Sequence, residues 1–209
     1  MHFYRYLIAG VVTWSLCANP GMTQEETFTE PKSQNVFPTK IEFEHTGKTH
    51  NLSLTGAFQL QRQTQTGSMI QLYTMAHYSE DFASDLTKTA YEVISELNFA
   101  KQMTFEFDRE FSAEHTQKSY QKLFDKMMAK AEQEEMKDAI ATFIGCFIKD
   151  IKEGERFSIR WLPGDTVIVF LPDGTQKEIK KPGFGALLWK SWFGLDSQVD
   201  RAALLERKS

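Results

Sequence analysis

A chain of 209 residues has the length of one ordinary domain, or at most two small ones. Its 41% hydrophobic content, with 17 Phe, is enough for a core and excludes a disordered chain. A formal net charge of −4, with no basic run beyond residues 177–181, excludes the clustered cations that nucleic-acid binding rests on, and two cysteines exclude a disulfide framework or a zinc site.

In chain order, Arg5 precedes an apolar run from Leu7 to Ala18. That run is well short of the roughly 20 residues a bilayer span needs. It predicts a signal peptide over residues 1–18, cut after Ala18, and hence an exported, periplasmic protein without a transmembrane span after processing. A retained N-terminal helix is the alternative. Cys17 raises a lipoprotein, but Leu16 before it is too bulky for that processing, so none is expected. Residues 19–36, rich in Thr, Glu, Pro, Ser and Asn, read as a flexible leader. A single domain over residues 37–209 follows.

Residues 40–45 alternate as a strand, turn at His45-Thr46-Gly47, and return over 49–54 with Leu52 and Leu54 inward. The next hairpin, residues 54–78, turns at Thr66-Gly67-Ser68. Phe58, Leu60, Arg62 and Thr64 share one side of its first strand. Met69, Gln71, Tyr73, Met75 and His77 share a face of its second, and Ile70, Leu72, Thr74, Ala76 and Tyr78 the other. With large side chains on both faces, this hairpin is expected to be covered on each side and to offer a ligand a place between sheet and cover.

Residues 79–97 predict a short helix through Ala90, Val93, Ile94 and Leu97, and 102–109 a half-buried strand. From Ser112 the period becomes helical: Tyr120, Leu123, Phe124, Met127, Met128 and Ala131 form one stripe. A second stripe runs from Met136 through Ile140, Phe143 and Phe147 to Ile151, with Gly154 ending the helical region. Strands follow at 156–161, 167–170 and 176–179, the last two joined by a Pro172-Asp173-Gly174 turn. A helix from Pro182 carries Phe184, Leu187, Leu188, Trp192 and Phe193, with Trp189 expected to stay exposed, and residues 197–207 make a tail helix. The histidines at 45, 50, 77 and 115 lack ligand spacing and read as unrelated surface residues; no metal is expected. Neither a phosphate loop nor a nucleophile-elbow pattern occurs, and no cofactor is expected. Cys146 reads as a free, buried thiol.

Four stretches carry a family likeness: Leu54-Thr55-Gly56-Ala57; Gln71-Leu72-Tyr73-Thr74-Met75-Ala76-His77-Tyr78; residues 151–165, from Ile151-Lys152-Glu153-Gly154 to Trp161-Leu162-Pro163-Gly164-Asp165; and Phe184 through Trp192-Phe193-Gly194-Leu195. In this order and spacing the chain resembles the bacterial chalcone isomerase-like family over about residues 37–206. The resemblance implies an α+β fold, an open-faced β-sandwich whose large antiparallel sheet is covered by a helical layer on one face and by short strands on the other. It implies either closure of a chalcone by a phenolate oxygen or non-catalytic binding of fatty acids in the same cleft. In both groups an arginine that completes a pattern like L-x-G-x-G-x-R binds the anionic end of the ligand.

Here Phe58 replaces the second glycine and Leu60 takes the arginine's place. A guanidinium holds a carboxylate or phenolate with a rigid fork of donors, and leucine holds neither. Loss of one oxyanion donor typically costs about 10²–10³ in rate, so the reaction is not expected. The resemblance places Tyr73 on the cleft, its hydroxyl able to meet a ligand oxygen, and Arg62 can supply charge from one pleat away. A packed core tyrosine and a solvated strand-end arginine are the plain alternatives. Met69, Met75, Met103, Met127 and Met128 suit either an adaptable cleft or a plain core. The expected ligand site is therefore Tyr73, Arg62, Leu60 and Met75. The expected function is an exported, non-enzymatic protein holding a fatty acid or similar amphipathic anion. The alternatives are an isomerase or lyase in the same cleft and a structural or partner-binding protein with a closed one.

Overall fold

A computed structural model of the chain describes residues 26–80, 91–95, 98–195, 197 and 199–205. The predicted signal peptide and most of the predicted helix at 79–97 lie outside the described residues. Within that predicted helix, Glu92–Ser95 form a single 3-10 turn.

Residues 26–36, expected as leader, are ordered. Strands β1 (Thr27–Thr29) and β2 (Val36–Pro38) pair antiparallel, with Phe28 opposite Phe37. Between them the Glu30 carboxylate accepts from the Lys32 and Ser33 amides and closes the turn. Asn35 donates to Thr74 and Asp108, which fixes the hairpin to the main sheet.

That sheet has seven antiparallel strands in chain order: β3 (Lys40–His45), β4 (Lys48–Gln63), β5 (Met69–Ser79), β6 (Lys101–Phe107), β7 (Arg156–Leu162), β8 (Thr166–Phe170) and β9 (Gln176–Lys180). Thr46 and Gly47 both take positive φ, the conformation a two-residue hairpin turn requires between β3 and β4. The strand expected at 49–54 and the one following it are one 16-residue strand. The sheet curls: the Arg160 guanidinium on β7 lies 3.5 Å from the ring centroid of Phe43 on β3, four places away in the sheet order.

Two cores result. On the curl's concave side, Phe37, Leu52, Leu54, Ala76, Tyr78 and Ile168 pack under the β1–β2 hairpin. On the other face, Met75, Met103, Phe105, Phe157, Ile159 and Trp161 meet the helices. β6 is therefore buried on both faces, with Gln102 and Thr104 enclosed as well, whereas the sequence predicts one open face.

Helix α1 (Ala113–Met127) starts where Ser112 Oγ accepts the His115 amide at 3.2 Å. Helix α2 (Lys130–Ile144) ends at Gly145, earlier than its apolar stripe predicts. The chain then turns, burying Phe147 and Ile151 but leaving Ile148 exposed. Phe124, Phe143, Phe147 and Phe184 interlock beneath these helices; each such burial contributes about 2–3 kcal/mol. Helix α3 (Phe184–Phe193) and helix α4 (Arg201–Leu205) complete the layer. None of the helices among the described residues is long and apolar enough to cross a membrane.

Candidate ligand-binding cleft

The register of β4 against β5 sets the site. Leu54 pairs with Tyr78 but Gly56 with His77, so Thr55 is an extra residue on β4; Leu60 pairs with Tyr73 but Gln61 with Gln71, so Leu72 is an extra residue on β5. Between these two bulges Leu60 stands directly opposite Tyr73. The strict alternation read from the sequence breaks at both points.

Beside Tyr73 a cleft of about 650 Å³ opens between sheet and helix. Leu60, Leu72, Tyr73, Phe105, Phe107 and Phe157 form its sheet wall. Thr116, Ser119, Tyr120 and Leu123 face it from α1 at the i, i+3, i+4, i+7 spacing that puts residues on one side of a helix. Phe111 and Trp192 also line it, and Arg62 and His115, both exposed, are the basic side chains on its rim. The cleft's described lining contains no carboxylate.

Tyr73 is half-buried, its ring held at 5.7 Å from Phe105, 5.6 Å from Phe107 and 6.3 Å from Phe111. Burial pushes its hydroxyl up to about 12, and burial together with the neighbouring Tyr73 raises Tyr120 well above the ordinary phenol value. Both phenols are therefore neutral donors at any ordinary pH. Of the four predicted site residues, Tyr73, Leu60 and Arg62 line the cleft. Met75 does not: paired with Phe105 and Phe58 mid-strand, it is sealed completely beneath the helical layer. Tyr120 was legible only as one member of a helical stripe, since nothing in α1 marks which stripe residue faces a gap.

A second polar group lies deeper in the same core. His77, expected at the surface, is fully buried. The Trp189 indole, also fully buried rather than exposed, donates to its Nε2 at 3.1 Å. An indole N–H only donates, so His77 carries its proton on Nδ1 and gives it to Thr55 Oγ1 at 2.7 Å; the Thr55 hydroxyl in turn donates to the Leu204 carbonyl at 2.7 Å. Burial, and then the nearby Lys101, pushes the imidazole down to about 3. Lys101 is itself fully buried, its ammonium bonded to the Ile94 carbonyl and 4.2 Å over the Trp161 ring, and burial pushes it down to about 7. His50, likewise read as a surface residue, is buried against Phe43 and bonded to Glu80.

Three of the four stretches that carry the family likeness thus meet at His77, through Thr55, His77 and Trp189. The fourth joins them through Trp161, 5.6 Å from Trp189. A family model described as chalcone isomerase-like matches residues 34–203. The chain belongs to the chalcone isomerase-like family. Among solved structures, a fatty-acid binding protein of Arabidopsis thaliana shares this chalcone isomerase-like fold with a TM-score of 0.66, covering 82% of this chain and 91% of that one at 14% identity. No curated protein matches the sequence significantly. Within the chalcone isomerase-like sheet of this chain, the Leu54-Thr55-Gly56 stretch seats the C-terminal helix: a Cβ on Gly56 would lie 2.2 Å from the Ala203 carbonyl oxygen.

Proposed function

We propose that this protein is a non-enzymatic binding protein that holds a fatty acid or similar amphipathic anion in the cleft beside Tyr73. The open, aromatic-walled cleft of about 650 Å³ carries this reading. Its size falls in the roughly 300–1,000 Å³ of small-molecule sites, and its walls suit a hydrocarbon chain. Arg62 and His115 on the rim meet the charged end, while Leu60 leaves the wall opposite Tyr73 without charge. The fatty-acid binding of the Arabidopsis neighbour supports the same choice of ligand. An enzymatic role is disfavoured, because neither Tyr73 nor Tyr120 gives up its proton near neutral pH and the cleft's described lining contains no carboxylate. The open cleft also disfavours a fully packed interior. Export through the segment at residues 1–18 belongs to the proposal and rests on its apolar run.

Calorimetric titration of delipidated protein with saturated fatty acids of increasing length tests the ligand. Saturable binding with an optimum length is expected, and no binding at any length overturns the proposal. The N-terminal residue of protein recovered from a cell's exported fraction tests the signal; an intact Met1 on cytoplasmic protein overturns that part.

A further inference from the structure

The two phenols in the cleft pose a problem for a plain fatty acid. Tyr73 projects from β5 and Tyr120 from α1, and both line the same space. Among the described residues neither hydroxyl has a hydrogen-bond partner in the protein, nor is either sealed away as a buried unsatisfied atom. Both rings are fixed by aromatic neighbours: Tyr73 by Phe105, Phe107 and Phe111, Tyr120 by Phe143 at 4.8 Å and Phe147 at 5.2 Å. The donors are thus held in place beside the aromatic wall, and among the described residues neither is hydrogen-bonded to a protein acceptor.

Arg62 and His115 sit on the exposed rim. An acid whose carboxylate rests there runs its chain inward past two phenols. A saturated chain would strip them of water and leave both donors unpaired, at a cost that a hydrogen-bonded acceptor removes. Drawing the carboxylate inward instead would bury an anion on a wall where Leu60 supplies no cation.

We propose that the ligand is an oxygenated acyl chain, a hydroxy- or oxo-acid whose carboxylate lies at the Arg62–His115 rim and whose chain oxygen accepts from Tyr73 and Tyr120. This rests on the binding function proposed above and refines its ligand class. The cleft reads two polar points on one chain. A specificity of this kind comes from donors that a plain chain leaves unpaired, and discriminates more sharply than added apolar contact does.

Calorimetry on the full chain with saturated acids and with oxo-acids of equal length, the carbonyl placed at successive positions, tests the inference. At one or two carbonyl positions the oxo-acid is expected to bind about five- to tenfold more tightly than its saturated counterpart. In Tyr120→Phe, which keeps the ring packing, that ratio is expected to fall to within about twofold, and likewise in Tyr73→Phe. Equal affinities at every position in the wild type overturn the inference while leaving fatty-acid binding intact. A preference that survives in both variants overturns the role of the phenols. Absence of binding by either series overturns the inference together with the function it rests on.

Discussion

The indole N–H of Trp189 donates to Nε2 of His77 across 3.1 Å inside the core, joining α3 to the second strand of the central hairpin. Through Thr55 the same imidazole reaches the Leu204 carbonyl, so one neutral histidine links α3, β4, β5 and α4. Its neutrality is a condition of the arrangement, because both ring nitrogens are committed and a second proton would displace the indole.

That condition gives stability a pH dependence. His77 titrates near 6.5 in the unfolded chain and at about 3 in the folded one. Above about pH 6.5 the imidazole is neutral in both states and costs the fold nothing. As pH falls from about 6.5 towards 3, the unfolded state takes up a proton the folded state refuses, and stability drops by at most about 1.4 kcal/mol per pH unit. Lys101, lowered from 10.5 to about 7, has its own loss as pH falls between those values, largely complete before the histidine window opens. Urea unfolding across this range is expected to show the acid slope in the wild type. A shallower one is expected in His77→Gln, which is less stable at neutral pH.

Gly56→Ala should destabilise the protein by about 2–3 kcal/mol, measured by chemical denaturation. The added methyl meets backbone, the Ala203 carbonyl oxygen at 2.2 Å and the Leu204 carbonyl carbon at 2.7 Å, which cannot move aside as a side-chain tip can.

Leu60→Arg should leave fatty-acid affinity unchanged or weaker by calorimetry, since it puts a guanidinium on the cleft wall directly across from Tyr73, away from the rim where the carboxylate rests. A tightening of about tenfold would show that the carboxylate reaches that wall.

Arg62→Gln should weaken binding of the same acid about two- to fivefold and flatten its dependence on salt, as expected of a solvent-screened charge on the rim. Titrations at low and high ionic strength separate the two effects.

Cys146 should resist alkylation until the protein unfolds. It is 7% exposed, its thiol donates to the Thr142 carbonyl, and burial raises its pKa. Thiol labelling during a denaturant titration should follow global unfolding.

The strands were largely legible in the sequence, because β3 and β7 alternate and the glycines at 47 and 174 mark the β3–β4 and β8–β9 turns with positive φ. Helix α1 was legible from Ser112 and its stripe. The ordered β1–β2 hairpin was not, since Glu, Pro and Ser there read as solvated, while Phe28 and Phe37 gain their partners only from the far side of the sheet. Leu60, Tyr73 and Arg62 do line the cleft, but Met75 could not be separated from core by type alone. His77 and Trp189 were misplaced for one reason: each is polar enough to read as exposed until its partner, more than a hundred residues away, is known.

The two bulges have a consequence for how the hairpin can err. Thr55 adds one residue to β4 and Leu72 adds one to β5, so the offsets cancel, and pairing at the base and at the tip follows a single regular register. Only the window from Gly56 to Leu60 is displaced. Sliding that window back by one place would restore the regular register without moving either end of the hairpin, and would give every side chain in it a new neighbour. The ties from Thr55 to Leu204 and from His77 to Trp189 are made in the displaced register. Thr55→Val should therefore reveal a second set of amide signals confined to the window and its partners on β5, exchanging slowly with the first.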